Sequence, residues 1–263
     1  MKKRLISFLM VALPGLVPAT SAYSQSKETQ EPEQNISSAV NPDKAKPRFF
    51  IRDEFRERKD DTQINILEAL YDLPLSDNLE LRTQVPYVTN NPLVGQTTRG
   101  LGDITNVLSY KYKGGGGKSY FIGLEARWNT AAEPTLGAGN TLLAPTWYAS
   151  ISVPKYNTIL FPLAQVFISV DHDPGRQEIN YTALKPRWLT KLENRYYTFV
   201  EPVIYVDHEN NNKTTGVLEI ELGRFVNSRT MAFVRPGAGL WGDTDSAFLY
   251  EWNFEIGYRY FFK

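Results

Sequence analysis

Two histidines flanked by carboxylates are the first candidates for chemistry in this sequence. His172 lies within residues 171–173 (Asp-His-Asp), and His208 lies within residues 207–209 (Asp-His-Glu). Histidine with carboxylates can ligate a metal ion or serve as the base of a serine hydrolase. Ser169 lies near His172, but no recognised nucleophile motif surrounds it. We predict solvated acidic loops here; lipid hydrolysis, or an ion that bridges these acids to lipopolysaccharide, remains the alternative.

A glycine run followed by lysine, residues 114–118, has a superficial likeness to a phosphate-binding loop. Such a loop needs a glycine at the position that Tyr112 occupies, and it needs a helix after the lysine. The alternating pattern that follows Ser119 indicates a strand instead. The sequence therefore predicts a flexible turn rather than a nucleotide site.

Charged residues that alternate with apolar ones form a larger candidate set. An Arg or Lys facing lipid at mid-depth costs about 2–4 kcal/mol, so these residues belong on the hydrophilic side of a membrane barrel. We predict that they line a path for solutes; the alternative is that Arg and Glu pair across the interior and close it. The candidates are Arg82, Glu125, Arg127, Lys185, Arg187, Glu201, Glu219, Glu221, Arg235, Glu251, Glu255 and Arg259.

The C-terminal segment shows which elements would position these charges. Large apolar or aromatic residues occupy every second position from Phe248 to Phe262, with Glu251, Glu255 and Arg259 among the residues between them. A period of two means that one strand face meets an apolar medium. The segment is longer than a usual soluble strand and suits a tilted membrane strand.

Comparable segments recur from Arg48 onward and predict an all-β fold, a transmembrane antiparallel up-and-down β-barrel of about twelve strands. Short turns alternate with longer polar connectors, as expected when short turns face the periplasm and longer loops face outside. Both chain ends would then be periplasmic, which requires an even number of strands. The predicted strands are residues 48–58, 62–73, 79–88, 103–113, 118–128, 141–154, 158–171, 179–191, 196–207, 215–226, 231–241 and 247–262.

Prolines inside these segments break a rule for strands. Proline cannot donate to the hydrogen-bond ladder and is normally found at edges or bulges. We expect bulges that shape the barrel; the alternative is weakened pairing that opens the wall laterally for an apolar solute. The prolines are Pro86, Pro145, Pro162, Pro186, Pro202 and Pro236.

The N-terminus has the features of a secretory signal peptide. Basic residues 2–4 precede an apolar stretch, residues 5–19, and small residues follow at 20–22. We therefore predict a signal peptide over residues 1–22. Residues 23–47 are polar and aperiodic, which predicts a flexible periplasmic tail, and residues 48–263 would form the barrel.

Composition excludes several classes of function. The chain has no Cys, which rules out disulfides, thiolate metal sites and cysteine nucleophiles. Lys and Arg balance Asp and Glu at 29 each, and loss of the signal peptide would leave a slight acidic excess. Nucleic-acid binding is therefore not predicted. We also predict no cofactor and no metal site.

A family resemblance rests on residues 100–104 (Gly-Leu-Gly-Asp-Ile), on the strand ending in residues 110–112 (Tyr-Lys-Tyr), and on the Gly-rich turn after it. These features, the proline-bearing strands and the aromatic last strand resemble transporter-like outer-membrane barrels of the meta-pathway phenol-degradation family, over about residues 48–263. The resemblance implies uptake of small, often aromatic, compounds and carries over no catalytic residues. The sequence departs from this family in one respect, since Lys263 follows Phe262. Outer-membrane barrels typically end in an aromatic residue, which the barrel-assembly machinery recognises.

These observations predict a non-enzymatic, porin-like or transporter-like channel in the outer membrane of a Gram-negative bacterium. Its solutes would be small and include aromatic or hydrophobic compounds that enter passively. The expected partners are outer-membrane lipids, lipopolysaccharide, the barrel-assembly machinery and an unidentified solute. The alternatives are a lipid-modifying barrel enzyme that uses His172 or His208, and a closed structural barrel.

Overall fold

The computed structural model of the chain describes residues 46–116, 118–242 and 250–262. The predicted signal peptide and nearly all of the predicted periplasmic tail lie outside these residues. No helix in the described ranges is long and apolar enough to cross a membrane.

The described residues form strands, because runs of alternating residues are separated by turn-forming Gly, Asn, Asp and Pro. The strands are β1 (Arg48–Glu57), β2 (Gln63–Pro74), β3 (Leu79–Asn91), β4 (Thr98–Leu101), β5 (Thr105–Lys113), β6 (Lys118–Arg127), β7 (Asn140–Val153), β8 (Thr158–His172), β9 (Asn180–Lys191), β10 (Tyr196–Asp207), β11 (Lys213–Asn227), β12 (Thr230–Trp241) and β13 (Trp252–Phe261). A one-turn 3-10 helix, Pro154–Tyr156, connects β7 to β8.

The sheet closes on itself, because β1 pairs with β13 on one side and with β2 on the other. The order continues through β3, β5 and each following strand back to β13, with every neighbour antiparallel. The short strand β4 pairs with β3 alone among the described residues and forms a hairpin beyond the ring. The barrel therefore has twelve strands, which confirms the predicted fold. Closure removes the exposed edges that an open sheet would leave.

The connections give the barrel two distinct ends. Turns of a few residues lie at one end, which we call the short-turn end, and mostly longer segments lie at the other, which we call the long-loop end. The short-turn end comprises residues 75–78, 114–116, 154–157, 192–195 and 228–229. The long-loop end comprises residues 58–62, 92–104, 128–139, 173–179, 208–212, 242 and 250–251.

The outer surface is an apolar band between two aromatic girdles. Mid-strand side chains such as Ile122 and Ile256 are about half exposed although they are purely apolar, at 54% and 49%. Outward aromatic residues mark both ends, with Trp128, Trp241 and Trp252 at the long-loop end and Tyr71, Tyr110 and Tyr260 at the short-turn end. This is the surface that a membrane-spanning barrel presents to lipid.

The six prolines named above lie within strands, and two of them interrupt the same ladder. The regular pairing between β9 and β10 breaks where Pro186 lies opposite Pro202. Alternate pairs of an antiparallel ladder are hydrogen-bonded, and the His208 backbone N–H donates to the Asn180 carbonyl at 2.9 Å. Pro202 lies six positions before His208, and Pro186 lies six positions after Asn180, so the two prolines face each other at a hydrogen-bonded pair of the ladder. Neither proline has a backbone N–H, so both hydrogen bonds of that pair are missing.

The structure corrects the start of the last strand. β13 begins at Trp252, and residues 243–249 lie outside the described part of the chain. Tyr250 is buried and points into the barrel, whereas the alternation had placed it toward lipid. Glu251 is exposed and lies before the strand, so its predicted place in the lumen was wrong. The reason is an irregular step between Tyr250 and Trp252 that shifts the alternation by one residue.

Candidate functional site

Apolar side chains fill two layers of the barrel interior. The sequence predicted a polar interior throughout, and this is wrong for these layers, because large side chains such as Phe161 and Phe167 occupy inward positions of β8. The layer toward the short-turn end contains Ile159, Phe161, Leu189, Tyr197, Phe225, Met231, Phe233 and Phe261. The layer toward the long-loop end contains Ala144, Phe167, Ala183, Val203, Val217 and Tyr250.

A network of ion pairs lies between these layers. The Arg235 guanidinium donates to Glu201 at 3.0 Å and contacts Glu219 at 2.5 Å. The Arg259 guanidinium donates to both carboxylate oxygens of Glu221 at 2.9 Å. Bidentate charge-assisted bonds of this kind fix geometry as well as neutralise charge. The three carboxylates and two guanidiniums join β10, β11, β12 and β13 across the interior.

The network continues across the seam where the barrel closes. Arg52 of β1 contacts Glu68 of β2 at 2.5 Å and Glu255 of β13 at 3.2 Å. Arg56 donates to Glu54 on the same strand at 2.6 and 2.9 Å. Each of these side chains faces the interior, and pairing offsets the cost of removing the charges from bulk water.

Free space remains in the middle of the barrel and beside β3, β5 and β7. A cavity of about 420 Å³ occupies mid-barrel, and one of about 540 Å³ lies toward the short-turn end. Glu80, Ser109 and Tyr148 line both. Phe121 stacks on Tyr148 with ring centroids 4.2 Å apart, which gives this side an aromatic wall. Residues of all twelve strands of the ring border the mid-barrel cavity, and the cavity toward the short-turn end lies on the side of β3, β5 and β7.

Arg187 is an interior cation that makes no ion pair with a carboxylate among the described residues. Its side chain lines the mid-barrel cavity and donates to the Phe161 carbonyl at 3.3 Å. Among the described residues, no carboxylate lies within 4.0 Å of its guanidinium, whereas Arg82 on β3 donates to Asp72 at 2.6 Å. Glu201 is the strongest charged neighbour of Arg187 and favours its charge, while Arg235 and Arg82 oppose it. The mid-barrel cavity therefore holds a guanidinium that makes no direct ion pair with the described residues.

Of the predicted lumen residues, all except Glu251 face the interior. Glu125 accepts a hydrogen bond from Gln165 at 2.9 Å and contacts Arg127 at 3.5 Å, while Lys185 lies 3.8 Å from Glu201. The inward set is Arg82, Glu125, Arg127, Lys185, Arg187, Glu201, Glu219, Glu221, Arg235, Glu255 and Arg259. That solutes pass along these residues remains a prediction.

Sequence reasoning missed the charged residues that β1 and β2 supply. Arg48, Arg52 and Arg56 recur at every fourth position and share the inward face of β1. This spacing was a usable signal, but Asp53 on the outward face obscured the alternation. In the structure, Asp53 on the outward face accepts a hydrogen bond from the Asn65 side chain of β2 at 2.6 Å, which accounts for a carboxylate at this position.

The two histidines lie in different settings at the long-loop end. His172 is exposed, with Glu178 at 3.9 Å. His208 lies between the Thr182 hydroxyl, 2.9 Å from Nε2, and the Asn212 side-chain oxygen, 2.8 Å from Nδ1. The described residues contain no group of three or more His, Asp or Glu that could hold a metal ion.

Comparison with known proteins adds the fold class. No family model matches the chain, and no curated protein matches it in sequence. The structure is similar to the NanC porin, with a TM-score of 0.61, 10% identity, and 81% of this chain and 100% of that chain covered. It is also similar to the KdgM porin, with a TM-score of 0.58, 12% identity, and 82% and 99% coverage. The chain has the barrel fold of these porins.

A third similar structure is the translocator domain of the autotransporter NalP from Neisseria meningitidis. Its TM-score is 0.50, with 10% identity, and 86% of this chain and 92% of that chain are covered. Identities this low indicate a common architecture and leave the solute to be argued from the interior itself. The resemblance to the meta-pathway phenol-degradation family stays a prediction.

Proposed function

We propose that this protein is a passive channel of the bacterial outer membrane, through which small solutes diffuse along two adjoining cavities of the barrel interior. The observation that carries the proposal is the pair of cavities that share Glu80, Ser109 and Tyr148. Closed barrels with an apolar band between aromatic girdles are typical of outer membranes, with short turns in the periplasm and longer loops outside. Diffusion needs no cofactor, and the partners would be outer-membrane lipids, lipopolysaccharide and the assembly machinery.

The interior chemistry favours small aromatic solutes, and anions over cations. Tyr148 and Phe199 line the mid-barrel cavity and are partly exposed, so an aromatic ring can pack against them. Arg187 offers a guanidinium without a direct ion pair in the same cavity, and guanidinium binds carboxylates through paired hydrogen bonds. A small aromatic carboxylate would therefore find both complements along its path.

Liposomes loaded with the purified protein test this proposal. Benzoate and benzylammonium are similar in size and opposite in charge. We expect both to enter, benzoate faster, and Arg187→Gln to remove the difference without stopping entry. Arg195→Gln, in the exposed turn between β9 and β10, is the matched control and should leave the ratio unchanged. Failure of both probes to enter wild-type liposomes would contradict the channel; equal entry would contradict only the anion preference.

Hydrolysis of membrane lipid is the second candidate, favoured by the hydrogen-bond chain from Thr182 through His208 to Asn212. The Asn212 side-chain oxygen can only accept, so His208 donates from Nδ1, and neutral Nε2 then accepts from the Thr182 hydroxyl. This is the order of nucleophile, base and orienting residue in hydrolases. Thr182 lies two residues from the lipid-facing Leu184, which would place the hydroxyl near the membrane surface.

Fatty-acid release from phospholipid vesicles tests the second candidate. If it is right, wild type releases fatty acid, His208→Ala abolishes release, and His172→Ala retains it, because His172 has no hydroxyl partner in the described structure. No release by wild type rules hydrolysis out. If solutes do not enter the liposomes either, the hypothesis of a closed structural barrel is the one that the experiments support.

A further inference from the structure

The loop between β6 and β7, residues 128–139, lies over the inner face of the β3–β4 hairpin. Alternate residues of β3 line the interior, including Arg82 and Gln84, and Val88 continues that face. Val88 pairs with Gly100 of β4, so Gly100 shares the inward face. A side chain added at Gly100 would meet the Leu136 methyl at 3.1 Å. The loop therefore packs on the lumen side of the hairpin rather than standing out from the barrel.

Leu136 seals this contact. It is 4% exposed, although it belongs to a loop at the end of the barrel. A Cβ at Gly102 would lie 2.8 Å from Val88 and 3.1 Å from the Leu136 carbonyl, so this close approach requires glycine. The glycines at 100 and 102 thus have a packing function: they let the loop lie flat against the mouth of the lumen.

Asp103 latches both ends of the loop. Its carboxylate is buried and accepts three backbone hydrogen bonds, from Thr130 at 3.2 Å, Ala131 at 3.1 Å and Ala138 at 2.7 Å. Charge-assisted bonds of this kind are about twice as strong as neutral ones. One side chain therefore holds the start and the end of the loop in a single conformation.

Two further groups of contacts clamp the outer side of the loop. The Thr135 carbonyl accepts from the Asn90 side chain at 3.1 Å, and the Thr135 hydroxyl pairs with Thr98 at 2.7 Å, both on the β3–β4 hairpin. The Asn129 side chain donates to Asp173, in the next loop along the rim, at 2.9 Å. The loop is therefore fixed from the hairpin, from the rim and from Asp103 beneath it.

We propose that residues 128–139, latched by Asp103, form a fixed constriction at the long-loop mouth and set the upper size limit of the solutes that enter. The inference rests on the proposed channel function, because the loop packs on the lumen side of the β3–β4 hairpin at the long-loop mouth. It assigns the size limit to this loop and to Leu136, and not to the charges at mid-barrel.

Liposome swelling with sugars of increasing size tests the constriction. We expect Asp103→Asn to raise the entry rate of a trisaccharide relative to a pentose by about twofold or more, since an amide replaces one accepting oxygen and frees part of the loop. Replacement of residues 131–138 by a short Gly-Ser linker should raise the ratio further. Asp207→Asn is the matched control, because Asp207 accepts from the Glu209 backbone in another loop of the same end, at 3.0 Å. It should leave the ratio unchanged.

The outcomes separate this inference from the channel proposal. If wild type admits the pentose and neither loop variant changes the size limit, the constriction is wrong while the channel stands. If wild type admits no sugar, the channel is wrong. Amide hydrogen exchange at Ala131 and Ala138 reports the latch without any flux, and exchange that is unchanged in Asp103→Asn would overturn the role given to Asp103.

Discussion

At the scale of single residues, the interior charges of this barrel differ in whether they form ion pairs. Arg259 donates to both carboxylate oxygens of Glu221 and to the Tyr197 hydroxyl, and its guanidinium lies 4.2 Å from the centroid of the Phe233 ring. Arg187, on a strand of similar pattern, has no such acid. The paired charges and Arg187 therefore line the same mid-barrel cavity.

The Arg259–Glu221 pair should stabilise the barrel mainly by leaving neither charge alone. We expect Arg259→Met to lower the free energy of unfolding by about 3 kcal/mol, the low end for a broken buried ion pair, because Glu221 then keeps only the Tyr197 hydroxyl and Arg235 at 4.0 Å. The double variant Arg259→Met with Glu221→Met should recover most of that loss, since the two desolvation costs vanish together. Urea titration in lipid vesicles measures both variants.

The control for that pair is Arg224→Met. Arg224 faces outward, with its guanidinium 4.9 Å from the Tyr196 ring, and an exposed cation–π contact contributes about 0.5–1 kcal/mol. A double variant that is less stable than the single one would contradict the account of the interior network.

The sequence predicts the direction of most interior side chains but not their partners. Alternation suffices for Glu219, Glu221 and Arg235, because a strand has only two faces. Which charges meet across a lumen depends on the curvature of the closed sheet, which no local pattern encodes. Glu251 was misplaced because the alternation breaks at the step before Trp252, where a single residue reverses the assignment.

At the scale of elements, the strands contain prolines at positions where proline alone would argue against a strand. Period-two alternation around Pro186 and Pro202 indicated strands, and the structure has strands there. That the two prolines lie opposite each other follows from the register of β9 against β10. Register depends on the turn between strands and on the neighbours, so the coincidence could not be predicted from either segment alone.

Restoring the missing donors should strengthen this part of the wall. We expect the double variant Pro186→Ala with Pro202→Ala to raise the free energy of unfolding by about 1–2 kcal/mol, because each restored ladder bond contributes about 0.5–1.5 kcal/mol. Thermal unfolding in detergent micelles measures the change. Pro154→Ala is the control, because Pro154 begins the 3-10 turn and replaces no ladder donor.

The same variant separates the two interpretations of the prolines. If they only shape the barrel, entry of an apolar solute such as toluene is unchanged in the double variant. A marked loss of toluene entry with intact benzoate entry would instead favour lateral opening between β9 and β10.

At the scale of the whole molecule, the barrel has an intermediate size and an asymmetric interior. Eight-stranded barrels are filled by side chains, and barrels of sixteen strands or more hold a water channel. With twelve strands, this chain places two apolar layers and an ion network in its interior and keeps a mid-barrel cavity that residues of all twelve strands line. The sequence predicts the closed barrel; the division of its interior depends on contacts between strands that are distant along the chain.

If the barrel is a channel, solutes pass Ser109, while the neighbouring residue faces lipid. The chain has no Cys, so single cysteines can be placed without background. Ser109 lines both cavities, and the adjacent Leu108 is 44% exposed on the outer surface. The most direct test is ionic current through Ser109→Cys and Leu108→Cys in planar bilayers before and after a charged thiol reagent. We expect the reagent to reduce the current of Ser109→Cys and to leave Leu108→Cys unaffected; absent current, or block at Leu108→Cys alone, would contradict the account.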